Sequence, residues 1–133
     1  MERGVALITG ARARLGQALA LSLAQAGYAI GVHHRDDAAA ADTVVHAIRA
    51  AGGRAASVQA ELADEDQVRS LVDRTADALG PLTLLVNNAS RFEDDRVGSL
   101  TRASWDAHME ANLRAPIVLA ESFAAQAPAD ADA

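Results

Sequence analysis

Cysteine and lysine are both missing from this 133-residue chain, and aromatic residues make up 3% of it. Without cysteine there are no disulfides and no thiolate nucleophile, a composition compatible with a reducing compartment. Without lysine, the basic side chains are all arginine. They are scattered, apart from the near neighbours Arg12 and Arg14, and the formal charge is −6. A nucleic-acid or anionic-membrane partner is therefore not expected. No apolar run is long enough to span a bilayer. Met1-Glu2-Arg3-Gly4 leads straight into a strand with no apolar leader, so the cytoplasm is the expected compartment. No metal site is expected. With Tyr28, Phe92, Trp105 and Phe123 as its only aromatics, the core must be built from aliphatic strands and closely approaching helices.

What is present is a regular alternation. Val5-Ala6-Leu7-Ile8 reads as a buried parallel strand that stops at Thr9-Gly10. Leu15, Leu19 and Leu23, with Ala18 and Ala26 on the same side, predict a helix stopped by Gly27. Ala29 to Val32 predicts a second strand, ending in His33-His34-Arg35-Asp36-Asp37. A helix through Ala41, Val44, Val45, Ile48 and Ala51 closes at Gly52-Gly53. Ala55 to Ala60 predicts a third strand. Asp64 with Gln67 gives an N-cap and capping-box pattern, opening a helix with Val68, Leu71, Val72, Thr75 and Leu79 on its apolar stripe. Leu82 to Val86 is the strongest strand. Thr101 could cap a helix from Arg102 through about Ala125, which Pro116 would kink or divide. Trp105, Leu113, Ile117 and Leu119 are expected to pack.

The order β-α-β-α-β-α-β-α with short connections implies parallel strands and helices on both faces. The expected fold is a Rossmann-type doubly wound parallel sheet of the α/β class, here with four strands. Residues 1–127 form it, as the N-terminal part of such a domain, and 128–133 are expected to be a disordered tail.

Between the first strand and helix lies Thr9-Gly10-Ala11-Arg12-Ala13-Arg14-Leu15-Gly16. Gly10 allows a sharp turn. Gly16 allows close approach of helix, sheet and a pyrophosphate held by free backbone N–H groups. Such a glycine pair is informative because it follows a buried strand and opens a helix.

This loop resembles that of the short-chain dehydrogenase/reductase family, which usually has glycine or alanine where this chain has Arg14. The Arg-Leu-Gly version is similar to the pteridine-reductase branch. The resemblance implies cofactor contacts at Gly10, Arg12, Arg14, Leu15 and Gly16, with Arg14 reaching both the phosphates and a pterin substrate. The alternative is that Arg14 faces solvent at the helix start.

In NAD-preferring relatives an acidic residue ends the second strand and binds the adenosine ribose. Here His34 takes that place and Arg35 follows. A guanidinium fork pairs with a 2′-phosphate where a carboxylate would repel it, so NADP(H) is expected over NAD(H). Asp36 and Asp37 either weaken that phosphate site or cap the next helix. Glu61-Leu62 stands where relatives carry Asp-Leu, whose carboxylate touches adenine; a solvated loop carboxylate is the alternative.

Asn87-Asn88-Ala89-Ser90 resembles the family's Asn-Asn-Ala-Gly signature, and an asparagine amide can bridge adjacent strand ends. By the resemblance Asn88, Ala89 and Ser90 face the cofactor, while Ser90 and Phe92 face the substrate. Phe92 would stack on a pterin or pack under its own loop. Asn112 is similar to the helix asparagine of the family's catalytic tetrad, holding a water that relays protons.

The same resemblance implies a Tyr-x-x-x-Lys pair as proton donor, yet the only tyrosine is Tyr28 and there is no lysine. Relatives are longer, so the chain is expected to be C-terminally truncated, inactive alone, and left with an open apolar edge at its fourth strand. The implied activity is reduction of a small pterin-like or carbonyl substrate by a homo-oligomer, dimer or tetramer. A 3-oxoacyl-thioester or sugar reductase and a non-catalytic dinucleotide-binding module remain as alternatives.

Overall fold

The computed structural model describes residues 1–131; Asp132 and Ala133 of the expected tail lie outside them. Four parallel strands, β1 (Gly4–Ile8), β2 (Tyr28–His34), β3 (Ala55–Gln59) and β4 (Leu82–Val86), lie in the order β3-β2-β1-β4. The direction of winding reverses between β1 and β4. In open α/β sheets the crevice beyond the strand ends at such a reversal is where ligands bind.

Alternate residues of each strand point to opposite faces. Ala6, Ile8, Ile30 and Val32 are buried with α1 (Arg14–Gln25) and α2 (Ala38–Ala50), against Ala20, Val44 and Ile48. Val5, Leu7, Ala29 and Val58 are buried with α3 (Glu65–Leu79) and α5 (Ala115–Gln126), against Val68, Leu71, Val118 and Leu119. The sheet is thus dry on both sides, as parallel sheets require. Gly31 matters here: a Cβ on it would lie 2.7 Å from Thr75 Cγ2, so its absence lets α3 sit close on β2.

The structure corrects four expectations. β2 runs two residues beyond Val32, and the histidines read as its polar exit are buried strand residues. α1 turns Gly16 and Ala20 to the sheet, with Leu19 and Leu23 partly buried. Leu15, Ala18 and Ala26 are exposed, Leu15 by 65%. The smallest residues permit the closest helix–sheet approach, which outweighs the count of leucines. Trp105, Leu113 and Ile117 are about half exposed, while Leu119 is buried as expected. Finally, Gln67 does not close a capping box on the Asp64 N–H. Asp64 does accept the N–H groups of Asp66 and Gln67, but the Gln67 Oε1 accepts the Glu61 N–H at 2.8 Å.

Thr101 caps α4 (Arg102–Met109) by accepting the Ser104 N–H. The division expected near Pro116 is a π-helical segment, Glu110–Arg114, between α4 and α5. Pro116 then falls in the first turn of α5, where a missing N–H is tolerated. Pro128 to Ala131 close a turn through the Ala131 N–H and the Pro128 carbonyl, 2.9 Å apart. No helix among the described residues is long and apolar enough to cross a membrane.

β4 forms an edge of the sheet. Its bulge opposite Val5 is filled by the Thr83 hydroxyl, which accepts the Val5 N–H at 3.2 Å. The Gln126 side chain, from the end of α5, accepts the Leu82 N–H at 2.8 Å and donates to the Leu82 carbonyl at 3.0 Å.

Candidate functional site

The ends of β1, β2 and β4 open into a cleft of ≈ 860 Å³. Its walls include Gly10, Arg12, Arg14, Leu15 and Gly16 from the glycine loop, His34 and Arg35 at the end of β2, and Glu61 and Leu62 beyond β3. Asn88, Ala89, Ser90 and Phe92 close the side after β4. The sequence-predicted cofactor and substrate residues therefore converge on one space. Asn112 is the exception; the wall carries its neighbour Ala111.

The floor is a hydrogen-bonded joint between β1 and β4. The buried Thr9 hydroxyl accepts the N–H groups of Asn88 and Ala89, both at 3.0 Å. The Asn88 amide donates to the carbonyls of Thr9 at 3.1 Å and Gly10 at 3.3 Å. This is the strand-bridging role expected of that asparagine. Gly16 packs directly on the joint, since a Cβ there would collide with the Gly10 carbonyl and lie 2.6 Å from Asn88 Nδ2.

The donors of the glycine loop are divided in a way the sequence did not suggest. The Gly10 N–H goes to His33 Nδ1 and the Ala11 N–H to the His33 carbonyl, both at 3.0 Å. These two amides face into the protein. The donors left for a ligand are those of the α1 N-terminus, which has no side-chain cap and no acidic residue in its first turn. An uncapped helix start concentrates partial positive charge and unpaired N–H groups.

Arg14 begins that helix at φ +53°, the only non-glycine residue with a left-handed backbone among the described residues. Such a conformation costs a side-chain-bearing residue roughly 1–2 kcal/mol. The strain stands at the cleft, whose wall Arg14 forms in part. Leu15 beside it also faces the cleft.

At the far end of the cleft Arg35 Nε lies 2.8 Å from Glu61 Oε2. Glu61 Oε1 accepts the Ala63 N–H at 2.9 Å. The Glu61 carboxylate is thus held by its neighbours, and the pair engages Arg35 through its inner nitrogen. Asp37 caps α2 through the Ala40 N–H at 3.0 Å and stands 3.5 Å from Arg12. The capping alternative holds for Asp37. Leu62 is buried in the core and contributes only a wall. His34 is 6% exposed, and its Nδ1 has no hydrogen-bond partner among the described residues.

Phe92 is 85% exposed, so it does not pack under its own loop. Its neighbours are pinned instead. The Asn112 side chain accepts the Arg91 N–H at 2.7 Å and donates to the Arg91 carbonyl at 2.8 Å. One turn earlier, His108 Nε2 accepts the Glu93 N–H at 2.9 Å. In this structure the Asn112 amide is a loop clamp, and the π-helical segment carries it. Segments of this kind recur at functional sites.

The sequence reading missed Thr9 as a hydrogen-bonding hub and His33 as its counterpart on β2. A threonine directly before the turn glycine was the available signal for the first. The second had none, because a histidine at a strand end is ordinarily exposed.

The glycine loop, the Thr9–Asn88 joint and the sheet order find a match in known proteins. The family model for short chain dehydrogenase matches residues 4–130. The chain belongs to the short-chain dehydrogenase family. A 3-oxoacyl-[acyl-carrier-protein] reductase of Synechocystis is 39% identical over 109 residues, and one of Staphylococcus aureus is 34% identical over 109. In both comparisons 82% of this chain is covered and 44% of the relative, so the chain spans less than half the length of these short-chain dehydrogenase relatives.

Among solved structures, FolM alternative dihydrofolate reductase 1 from Brucella suis, in complex with NADP, is 38% identical with a TM-score of 0.90. It covers 96% of this chain and 52% of its own. A short chain dehydrogenase from Burkholderia cenocepacia, also in complex with NADP, is 38% identical with a TM-score of 0.91, covering 95% and 51%.

Proposed function

We propose that the chain holds NADP(H) in this cleft, as the cofactor-binding part of a reductase acting on a flat, pterin-like substrate. The carrying observation is an uncapped helix start flanked by two arginines, Arg14 and Arg35. Neither guanidinium has its terminal nitrogens hydrogen-bonded within the protein among the described residues. The α1 N–H groups and Arg14 would meet a pyrophosphate, and the Arg35 fork would meet a 2′-phosphate. NADP in the complexes of Brucella and Burkholderia supports the choice of cofactor.

When bound, the nicotinamide supplies hydride. The chain's own part is orientation. Gly16 and the Thr9–Asn88 joint set the depth of the cleft, and Arg14, Ser90 and Phe92 surround its open end. The exposed Phe92 ring offers a face to a heteroaromatic substrate. The likeness to an alternative dihydrofolate reductase supports that substrate class. Reduction of a 3-oxoacyl thioester is the second reading, favoured by the curated relatives.

Proton donation is not provided for within this sequence. Tyr28, its one tyrosine, begins β2 at the opposite end of the sheet from the cleft, and there is no lysine. We therefore infer that the chain by itself binds cofactor without turnover. Trp105, Met109, Leu113 and Ile117, spaced four apart along α4, the π-helical segment and α5 and partly exposed, support assembly into a homo-oligomer.

Calorimetric titration tests the cofactor reading. NADP(H) should bind about one to two decades more tightly than NAD(H), the worth of one charge-assisted pairing. No binding of either dinucleotide would overturn it. Binding of dihydropterin against acetoacetyl thioester to the protein loaded with NADP+ decides between the two substrate classes.

A further inference from the structure

His33 is 2% exposed and belongs to none of the groups assigned above to cofactor or substrate contact. Its ring joins three adjacent strand ends, those of β1, β2 and β3. Nδ1 accepts the Gly10 N–H after β1, and Nε2 lies 3.0 Å from the Ala60 carbonyl after β3. A carbonyl only accepts, so the proton sits on Nε2 and the lone pair on Nδ1. Both ring nitrogens are then satisfied, and the ring is neutral. The His33 carbonyl takes the next amide of the loop, that of Ala11.

We propose that His33 is the positioning residue of the glycine loop: its neutral ring sets the Gly10–Ala11 turn, and ligand affinity at the α1 N-terminus depends on that neutrality. This rests on the cofactor reading above. Gly10 N–H and Ala11 N–H are consecutive donors, and if either swung into the cleft, the arch from Arg12 to Gly16 would shift with it. A proton on Nδ1 would set two donors 3.0 Å apart across a buried contact.

The charged and titratable groups near the ring come from every surrounding element. His34 lies on β2, Arg74 on α3 and Glu61 beyond β3, while the loop after β1 meets the ring with a backbone amide. Burial, together with the charges of His34 and Arg74, holds the His33 pKa below the usual 6.5. The Ala60 carbonyl and Glu61 act in the opposite sense but do not prevail. The neutral ring is thus the stable form at neutral pH. Acid reverses it.

The test compares His33→Asn and His33→Leu with wild type. Asparagine places an acceptor oxygen where Nδ1 stood and does not titrate; leucine keeps bulk and offers no acceptor. NADP+ affinity of the H33L protein should fall about ten-fold, the worth of one hydrogen bond in this setting. H33N should stay within about three-fold of wild type, well inside one hydrogen bond's worth. In wild type, affinity should drop in acid more steeply than in H33N; titration of the ligand's own phosphate is common to both.

A second readout needs no variant. The Gly10 amide resonance of the ligand-free protein should shift with pH as the His33 ring titrates. Superimposable pH profiles for wild type and H33N, or a Gly10 amide indifferent to His33 ionisation, would overturn the proposal. If no dinucleotide binds at any pH, the cofactor reading fails, and with it the affinity half of the inference. The amide titration then reports whether the ring sets the turn.

Discussion

Arg35 and Glu61 are each other's partners, Nε to Oε2 at 2.8 Å, although the sequence assigns them to two different parts of an adenosine. The pair is about half open to water on the arginine side and holds the guanidinium by its inner nitrogen. Exposed pairs of this kind contribute about 0–1 kcal/mol to folding. Their value lies in direction.

Arg35→Ala should therefore leave the melting temperature nearly unchanged and remove the preference for a 2′-phosphate. NADP(H) affinity should fall about ten- to hundred-fold while NAD(H) affinity stays within about three-fold, since only one ligand carries the charge. Parallel titrations with the two dinucleotides check this. Equal losses for both would show that Arg35 serves the fold and not the phosphate.

Arg14 offers the converse case. Its left-handed φ of +53° suits glycine, so Arg14→Gly should relieve about 1 kcal/mol of strain, partly offset by chain entropy. Thermal stability should hold or rise slightly while cofactor affinity falls. A variant that loses both would place Arg14 in the scaffold.

The acid limb of the stability curve should carry the mark of His33. Its native pKa lies below the ordinary 6.5, so the unfolded chain takes up a proton at a pH where the native chain does not. The His33 contribution is complete above 6.5 and is lost as pH falls from there through the lowered native value. From one proton the slope cannot exceed about 1.4 kcal/mol per pH unit. Denaturant midpoints of wild type and H33N across that range should converge in acid.

Asn112→Ala should act on the loop more than on the fold. It removes both anchors of Arg91 and leaves the Glu93 anchor from His108 in place. Amide exchange over residues 91–95 should quicken, with global stability lowered by about 0.5–1.5 kcal/mol per lost hydrogen bond at most. Unaltered exchange there would show that the loop is held by something other than this clamp.

The fold was legible because each strand is an apolar run closed by a glycine or a polar loop, and each helix repeats at its own period. Thr9-Gly10 and Asn88 were legible as a site because their neighbours fixed their surroundings. What escaped was set by packing between elements distant in sequence. Leu15 matched the helical stripe, yet Gly16 and Ala20 won the sheet because small residues allow the closer approach. His33 looked like a polar exit until β1 and β3 were seen to offer its ring a donor and an acceptor. Glu61 and Arg35 stand far apart along the chain, and nothing local announces that they meet. The π-helical turn had only Pro116 as a signal, which located the break without giving its geometry.

The Gln126 amide, fastened to both backbone groups of Leu82, occupies the first rung at the border of the sheet. Any polypeptide ribbon laid alongside β4 must start its ladder past that rung or first dislodge the glutamine. The end of α5 thereby closes that rung to an incoming neighbour.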